Sequence, residues 1–371
     1  MTLAELRTSL TELDRELLEL VARRQSIVGE IGRVKREAGR PTRDFSRERE
    51  VLLRARRVAA ELNIPGRVAE ELLRVLIRSS LTTQEQARVV EEGSGSGKSA
   101  LVIGGSGKMG RWFVRFLSSQ GFRVEIADPA ADDLAPGIIK TWSDSELAHD
   151  IIVLATPLGA MPDIMTQLSE RRPPGLIFDI GSLKGPLHEG LLALSRRGCK
   201  VASLHPMFGP DTELLSGRHV IFVDVGVAKA NHEARALFAS TMVQQVHMTL
   251  DDHDRLIAYV LGLSHALNIV FFTALAQSGE AAPELARLSS TTFDAQLDVA
   301  CRVAAENPYL YYEIQTLNSY GGAALSGLKQ AVQQVCALIE NCDEPGFVTL
   351  MENGKHYLEG RQIALANPQA D

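Results

Sequence analysis

Residues 99–110 read Ser-Ala-Leu-Val-Ile-Gly-Gly-Ser-Gly-Lys-Met-Gly. An apolar run that ends in glycines and opens into a helical pattern is the strand–turn–helix that begins a parallel α/β sheet. Gly105, Gly107 and Gly110 have the spacing that turns the chain tightly and brings its backbone against a pyrophosphate at a helix N-terminus, with Lys108 and Met109 in the same turn. Asp128 follows the next strand-like run, 123–127. A carboxylate there accepts bonds from an unmodified ribose and repels a 2′-phosphate, which favours NAD over NADP.

Downstream, 150–155 and 176–179 are further short apolar runs ending in turns, so strands alternate with helices as in a mostly parallel sheet covered on both faces. From Asp251 to the end the pattern is helical, with apolar stretches at 256–275 and 328–339. Upstream, Leu3, Leu6, Leu10, Leu13, Leu17, Leu20, Ile27, Ile31 and Val34 recur at steps of three and four. That is one amphipathic helix of about 35 residues, stopped at Gly39-Arg40-Pro41. A second helix is expected over 46–62 and a third over 67–92, before Gly93-Ser94-Gly95-Ser96-Gly97, which reads as a flexible linker. Gly97-Lys98-Ser99 ends like a P-loop, but the leading glycine position holds Glu92 and the segment precedes a strand. The expected domains are residues 1–92, a linker at 93–98, a dinucleotide-binding segment 99–250 and a helical segment 251–371.

The chain has 371 residues, 45% hydrophobic and 23% charged, which is ordinary for a globular protein with two or three cores. No apolar run approaches the roughly 20 residues that span a bilayer, and the first turn lacks the basic and apolar regions of a secretory signal. No membrane role is therefore expected. Cys199, Cys301, Cys336 and Cys342 show no metal-ligand spacing, so no metal is expected and a reduced, cytoplasmic protein is. Net charge is −7, yet residues 1–90 hold 18 Lys and Arg against 14 Asp and Glu. A basic module of this kind binds nucleic acid or a small anion. Interleaving with Glu along helices and a lack of aromatics make nucleic acid the weaker reading.

Arg24 interrupts the apolar stripe of the first helix, where a guanidinium needs a carboxylate from the protein or from a ligand. Lys35 lies eleven residues on, near the same face. Arg7 lies roughly 25 Å before Arg24 on a helix rising 1.5 Å per residue, too far for both to grip one small molecule from a single chain. The positions Leu6-Arg7, Asp14, Arg23-Arg24, Lys35, Arg40–Asp44, Arg47-Glu48, Ser80 and Gln84 keep an order and spacing that resemble the all-helical chorismate mutase family. The resemblance implies that Arg7 of a partner subunit, Arg24 and Arg47 bind the two carboxylates of chorismate. It further implies that Lys35 and Gln84 donate to the ether oxygen, that Glu48 and the Asp44 backbone hold the ring hydroxyl, and that Ser80 contacts a carboxylate. A pericyclic rearrangement needs no nucleophile, only a compact conformer and donors aimed at the developing charge.

Residues 203–211 read Ser-Leu-His-Pro-Met-Phe-Gly-Pro-Asp, which fixes His205 between a strand and a rigid turn. With the glycine loop, Gly181-Ser182-Leu183-Lys184-Gly185-Pro186, His253-Asp254, Ser264-His265 and Arg302 with Glu306-Asn307-Pro308, this segment resembles prephenate dehydrogenases, in particular those fused behind a chorismate mutase. The fold class expected is accordingly multidomain: an all-α chorismate mutase domain, an α/β Rossmann-type NAD domain and an all-α C-terminal dimerisation domain. The resemblance implies oxidative decarboxylation of prephenate, with His205 taking the hydroxyl proton and NAD the hydride. His suits this because its ordinary pKa of about 6.5 leaves it largely neutral near pH 7. Ser182 would orient His205 or contact the nicotinamide, Arg302 would bind a substrate carboxylate, and His265 would line the pocket. Thr156 and Pro157 would lie against the cofactor. His253, after two Asp residues, reads equally as a helix-start residue and is left out of this set.

Residues 289–294, Ser-Ser-Thr-Thr-Phe-Asp, end in Asp294 where the fused enteric enzymes carry an aromatic residue and Arg. A 4-amino-4-deoxychorismate route, in which Asp294 meets an ammonium, is therefore one alternative. A non-catalytic N-terminal sensing module is another. Tyrosine feedback and a homodimer complete the expectations.

Overall fold

The structure is a computed structural model and describes residues 1–131, 137–288 and 290–366. It falls into two compact units, Met1–His253 and Asp254–Asp371.

The first unit opens with three helices: α1 (Leu3–Glu37), α2 (Phe45–Glu61) and α3 (Gly66–Glu91). A capping box formed by Thr2 and Glu5 starts α1, and Lys35 and Arg36 sit in its last turn, where a helix favours cations. Gly39, at φ 61°, takes the left-handed position that ends it. α1 and α3 run in the same direction, joined at one end by Arg24 to Ser80 and at the other by an Arg36–Glu91 ion pair.

Residues 93–98 are not the flexible linker expected. Gly95 donates its N–H to the Gln120 carbonyl at 2.9 Å, and a Cβ at Gly93 or Gly95 would lie within 2.5 or 2.3 Å of atoms of Gln120 or Phe122. The glycines are there for close approach, not for freedom, and Val89 of α3 belongs to the same core as Trp112 and Phe122. The bundle is thus packed onto the sheet that follows.

That sheet has the order β3-β2-β1-β4-β5-β6-β7-β8, with β1 (Ser99–Ile103), β2 (Arg123–Ala127), β3 (Ile138–Ile139), β4 (Ile151–Leu154), β5 (Leu176–Asp179), β6 (Lys200–Pro206), β7 (His219–Val223) and β8 (Gln244–Met248). All neighbours are parallel except β6 and β7. Helices α4 (Lys108–Ser119), α5 (Met161–Arg171), α6 (His188–Arg196) and α7 (Ala228–Ala236) connect them. Leu101, Ile152, Phe178, Leu204 and Phe222 are wholly buried, as strands covered on both faces require. The chain reverses its winding between β1 and β4, the place where sheets of this type bind their ligands.

The second unit is helical: the end of α8 (Leu250–Ile257), a π-helical turn (Ala258–Leu263), α9 (Ser264–Gln277), α10 (Ala282–Arg287), α11 (Thr291–Ala304), α12 (Pro308–Leu317), α13 (Gly321–Glu340) and α14 (Glu344–Ala366). The helical run Leu250–Gln277 is long and apolar enough, by length and composition alone, to cross a membrane, which corrects the expectation that no stretch approaches that size. Polar contacts to neighbouring helices punctuate it: Gln315 donates to the Gly262 carbonyl and Gln296 to Asn268 Oδ1, both at 2.9 Å. Such side chains mark a helix that packs on protein, and many core helices pass the same length test.

Candidate active sites

Where α1 runs along α3, Arg24 donates to the Leu76 carbonyl (3.0 Å) and to Ser80 Oγ, and Ser80 donates onward to Leu76 (2.6 Å). Burial pulls the Arg24 pKa down. Its partners among the described residues are neutral acceptors, so the structural ion pair left open by periodicity is not what holds it. Most of the guanidinium's five donors remain for an anion. Further along, Gln84 packs on Gly32, where a Cβ would come 3.0 Å from Gln84 Cγ, and Gln84 Oε1 is buried without a hydrogen-bond partner. Lys35 donates to the Thr42 carbonyl at 2.7 Å, and Glu48 is held by Arg43 through two contacts of 2.9 and 3.0 Å.

The other residues of this set are placed differently. Arg47 is exposed and pairs with Glu50, while Asp44 is the N-cap of α2 and accepts the Arg47 N–H, each at 2.9 Å. Arg7 is exposed on the first half of α1.

On the sheet, the glycine loop has the geometry its spacing implies. Gly104 takes φ 84°, and a Cβ at Gly110 would lie 2.1 Å from the Gly104 carbonyl oxygen, so α4 starts against the loop only because both are glycines. Gly105 is fitted as tightly, against Ile126, and a Cβ at Gly107 would sit 3.2 Å from the Gly104 oxygen. Lys108 and Met109 form the first turn of α4. Asp128, at the end of β2, accepts the Ser106 N–H at 3.0 Å and the Ala130 N–H at 2.9 Å, which sets its carboxylate against the loop. Thr156, just past β4, lies beside Gly104, and its Oγ1 is buried without a partner; Pro157 follows. A glycine cradle, a fixed carboxylate and an orphaned hydroxyl together fit a dinucleotide.

His205 sits near the end of β6, 4% exposed, with Nδ1 2.9 Å from His253 Nε2. Burial, then His253, then Lys184 push its pKa well below the ordinary histidine value, so the ring is a neutral acceptor at neutral pH. Lys184 is wholly buried; it donates to Asp179 Oδ1 at 2.5 Å and to the Leu204 carbonyl at 2.6 Å, tying the end of β5 to the residue before His205. Ser182 is half-buried in the same turn. His253, which the sequence reads equally as a helix-start residue, is the residue that meets the His205 ring. A Lys inside a Gly/Pro turn is the only sequence signal for Lys184; its burial appears only in the structure.

In the second unit, His265 stacks on Tyr311 with ring centroids 4.1 Å apart, and its buried Nδ1 lacks a partner. Burial lowers its pKa and Glu306 opposes that. Arg302 is exposed in the last turn of α11. Asp294 lies in the first turn of the same helix, after the N-cap Ser290, where a carboxylate is favoured by the helix itself. Ser289 lies outside the described residues. A cleft of about 580 Å³ opens between α3, α4 and the β6–β7 loop, lined by Val89, Trp112, Phe116 and Arg115 among others, but by neither His205 nor the glycine loop.

The chain matches the family model for chorismate mutase type II over residues 6–85. It matches the prephenate dehydrogenase nucleotide-binding domain over 122–244 and the prephenate dehydrogenase dimerization domain over 249–353. The glycine loop lies before the second match, so its reading rests on its own geometry. The T-protein of Enterobacter agglomerans is 26% identical over 349 residues, 93% of this chain and 90% of that protein. The T-protein of Haemophilus influenzae is 28% identical over 353 residues, 93% of this chain and 89% of that protein. Among solved structures, prephenate dehydrogenase from A. aeolicus in complex with hydroxyphenyl propionate and NAD+ shares the fold, with a TM-score of 0.58 at 20% identity, over 72% of this chain and 99% of that one. Three segments matched in one order, and two relatives matched almost from end to end, leave a single placement: the chain belongs to the bifunctional chorismate mutase and prephenate dehydrogenase family.

Proposed function

We propose that this chain rearranges chorismate to prephenate on its N-terminal helices and then oxidises prephenate, with loss of carbon dioxide, to 4-hydroxyphenylpyruvate on the route to tyrosine. The observation that carries the reading is the presence in one chain of a buried neutral His205 on a dinucleotide-type sheet and an anion-ready Arg24 beside Ser80. The domain limits proposed are 1–92, 99–250 and 251–371.

In the first site, Arg24, Arg47 and Arg7 of a second copy bind the two carboxylates, with Ser80 contacting one of them. Lys35 and Gln84 donate to the ether oxygen as its C–O bond breaks, and the Asp44 backbone and Glu48 hold the ring hydroxyl. The work is orientation and charge stabilisation, with no covalent step.

In the second site the cofactor is NAD, cradled by Gly105, Gly107, Lys108, Met109 and Gly110, with Asp128 on the ribose and Thr156 and Pro157 beside it. When bound, it supplies the hydride acceptor. His205, with Nδ1 engaged by His253, presents Nε2 to the carbinol hydroxyl and takes its proton. Ser182 lies against the reacting groups, Arg302 binds a substrate carboxylate and His265 walls the pocket.

The chain works as a homodimer. In support, Leu3, Leu10, Leu13 and Leu20 of α1 are each about 60% exposed, an apolar stripe that another copy would cover. We read the compartment as the cytoplasm, in keeping with four free cysteines.

The test is chorismate supplied to the purified protein with and without NAD. Chorismate loss in both samples, with NADH and 4-hydroxyphenylpyruvate only when NAD is present, is the expected result. A protein inert toward both chorismate and added prephenate overturns the reading.

A further inference from the structure

Gln84 and Glu85 are neighbours on α3, turned from each other by about 100° around the helix. Gln84 packs on α1, whereas Glu85, 3% exposed, faces the sheet. Its Oε2 accepts the Leu215 N–H at 2.7 Å and its Oε1 accepts the Met242 N–H. Those two donors come from different segments, the β6–β7 loop and the residues before β8. No cation pairs with the carboxylate among the described residues, and burial pushes its pKa up against the pull of the two N–H groups. A carboxylate at that depth is a costly way to fill space, so its contribution is geometric.

The next residue of the same loop makes a second attachment. Ser216 Oγ accepts from Arg43 at 2.8 Å, and Arg43 in turn holds Glu48. The loop begins at Met207, two residues after His205, and is closed by the Met207 N–H on the His219 carbonyl at 2.9 Å. Trp112 Nε1 donates to the Thr212 carbonyl, also at 2.9 Å, and anchors it to α4. Leu215 and Ser216 therefore bear, through Glu85 and Arg43, on the backbone of Gln84 and the carboxylate of Glu48.

We propose that Glu85 is a positioning residue for the mutase reaction, docking α3 onto the β6–β7 loop so that Gln84 is held in register with the substrate's ether oxygen. This rests on the reading of Gln84 given above. The mutase helices are then built to work against the dehydrogenase sheet, and the loop after His205 is a structural member of both sites.

Glu85→Gln in the full-length protein keeps the shape but replaces one acceptor with a donor facing an N–H. Chorismate turnover should lose about tenfold in kcat, a typical size for coupling between sites. KM should stay within about twofold, because the arginines that bind carboxylates are untouched. In a Gln84→Ala background the same change should cost nothing further, since a residue acting only through Gln84 has nothing left to position. Ser216→Ala, which removes one of the bonds made by the Arg43 guanidinium, should lower kcat by about twofold. If Glu85→Gln does not fold, Glu85→Asp, which keeps the charge but is too short for both donors, is read by the same criteria. Wild-type kcat in the Glu85 variant, or losses that multiply with Gln84→Ala, overturns the docking role. A Gln84→Ala protein with wild-type kcat removes the reading of Gln84 instead, and this proposal with it.

Discussion

The sheet and the three-helix bundle of the first unit dispose of apolar surface in opposite ways. Strands β1, β4, β5 and β6 bury nearly every side chain, and α4 adds Trp112, Phe113, Phe116 and Leu117 to one continuous core. On α1, by contrast, only Val28 and Gly32 are buried, and the leucine stripe that announces the helix faces outward for most of its length. The two regions carry different chemistry on these different foundations. His205 sits in a closed interior made by one chain, where desolvation tunes the ring. Arg24 and its neighbours sit beside a largely exposed helix face, which on the reading proposed above a second copy completes. Hydrophobic periodicity identifies a helix in both regions, but it does not say which molecule covers the stripe.

The largest effect should come from the closed region. His205→Asn removes the proton acceptor and should lower prephenate oxidation by about a thousandfold in kcat. Chorismate loss measured on the same preparation should be unchanged. A mutase rate that falls with it would mean that the two regions are not separable in this way.

The open region gives the next test. Arg7→Ala and Arg24→Ala should each cut chorismate turnover by about a hundredfold, because each leaves a carboxylate unmatched. Mixing the two variants under conditions that exchange subunits should restore part of the rate, since some sites then receive both arginines. Mixtures as inactive as their components would show that one chain supplies the whole site.

A smaller effect sharpens the account of His205. Its folded pKa is depressed, so the acid limb of kcat/KM for oxidation should lie below about pH 6.5. Folding stability linked to this ring should likewise drop as pH falls beneath that value, since the unfolded chain takes up the proton more readily. His253→Gln removes one cause of the depression and should move the acid limb to higher pH, with kcat reduced about tenfold. An unmoved limb would leave burial and Lys184 as the whole cause.

Much of this was legible in the chain. The glycine loop, β1 and Asp128 were readable because backbone geometry there admits so few residues: Gly104 must take a positive φ, and Gly110 cannot carry a Cβ. The linker misled because glycine serves both freedom and close approach, and composition cannot tell which; Gln120 and Phe122 decide it. His253 looked like a helix-start residue because its partner is 48 positions away in sequence. The apolar stretch at 256–275 does not read as a membrane-length run because isolated polar residues break it up, and of these Asn268 finds its partner, Gln296, on another helix.

The amino-acid sequence by itself determined the three N-terminal helices, the strands β1, β2, β4 and β5 and the residue types available for chemistry, because these follow from local propensity, periodicity and steric limits on glycine. Only the tertiary structure decided which of those residues meet. It paired His205 with His253, buried Lys184 beneath them, fastened Glu85 to Leu215 and Met242, and left the α1 leucines outside. Such pairings join distant positions, and their strength comes from burial, which no stretch of chain possesses until the rest has packed around it.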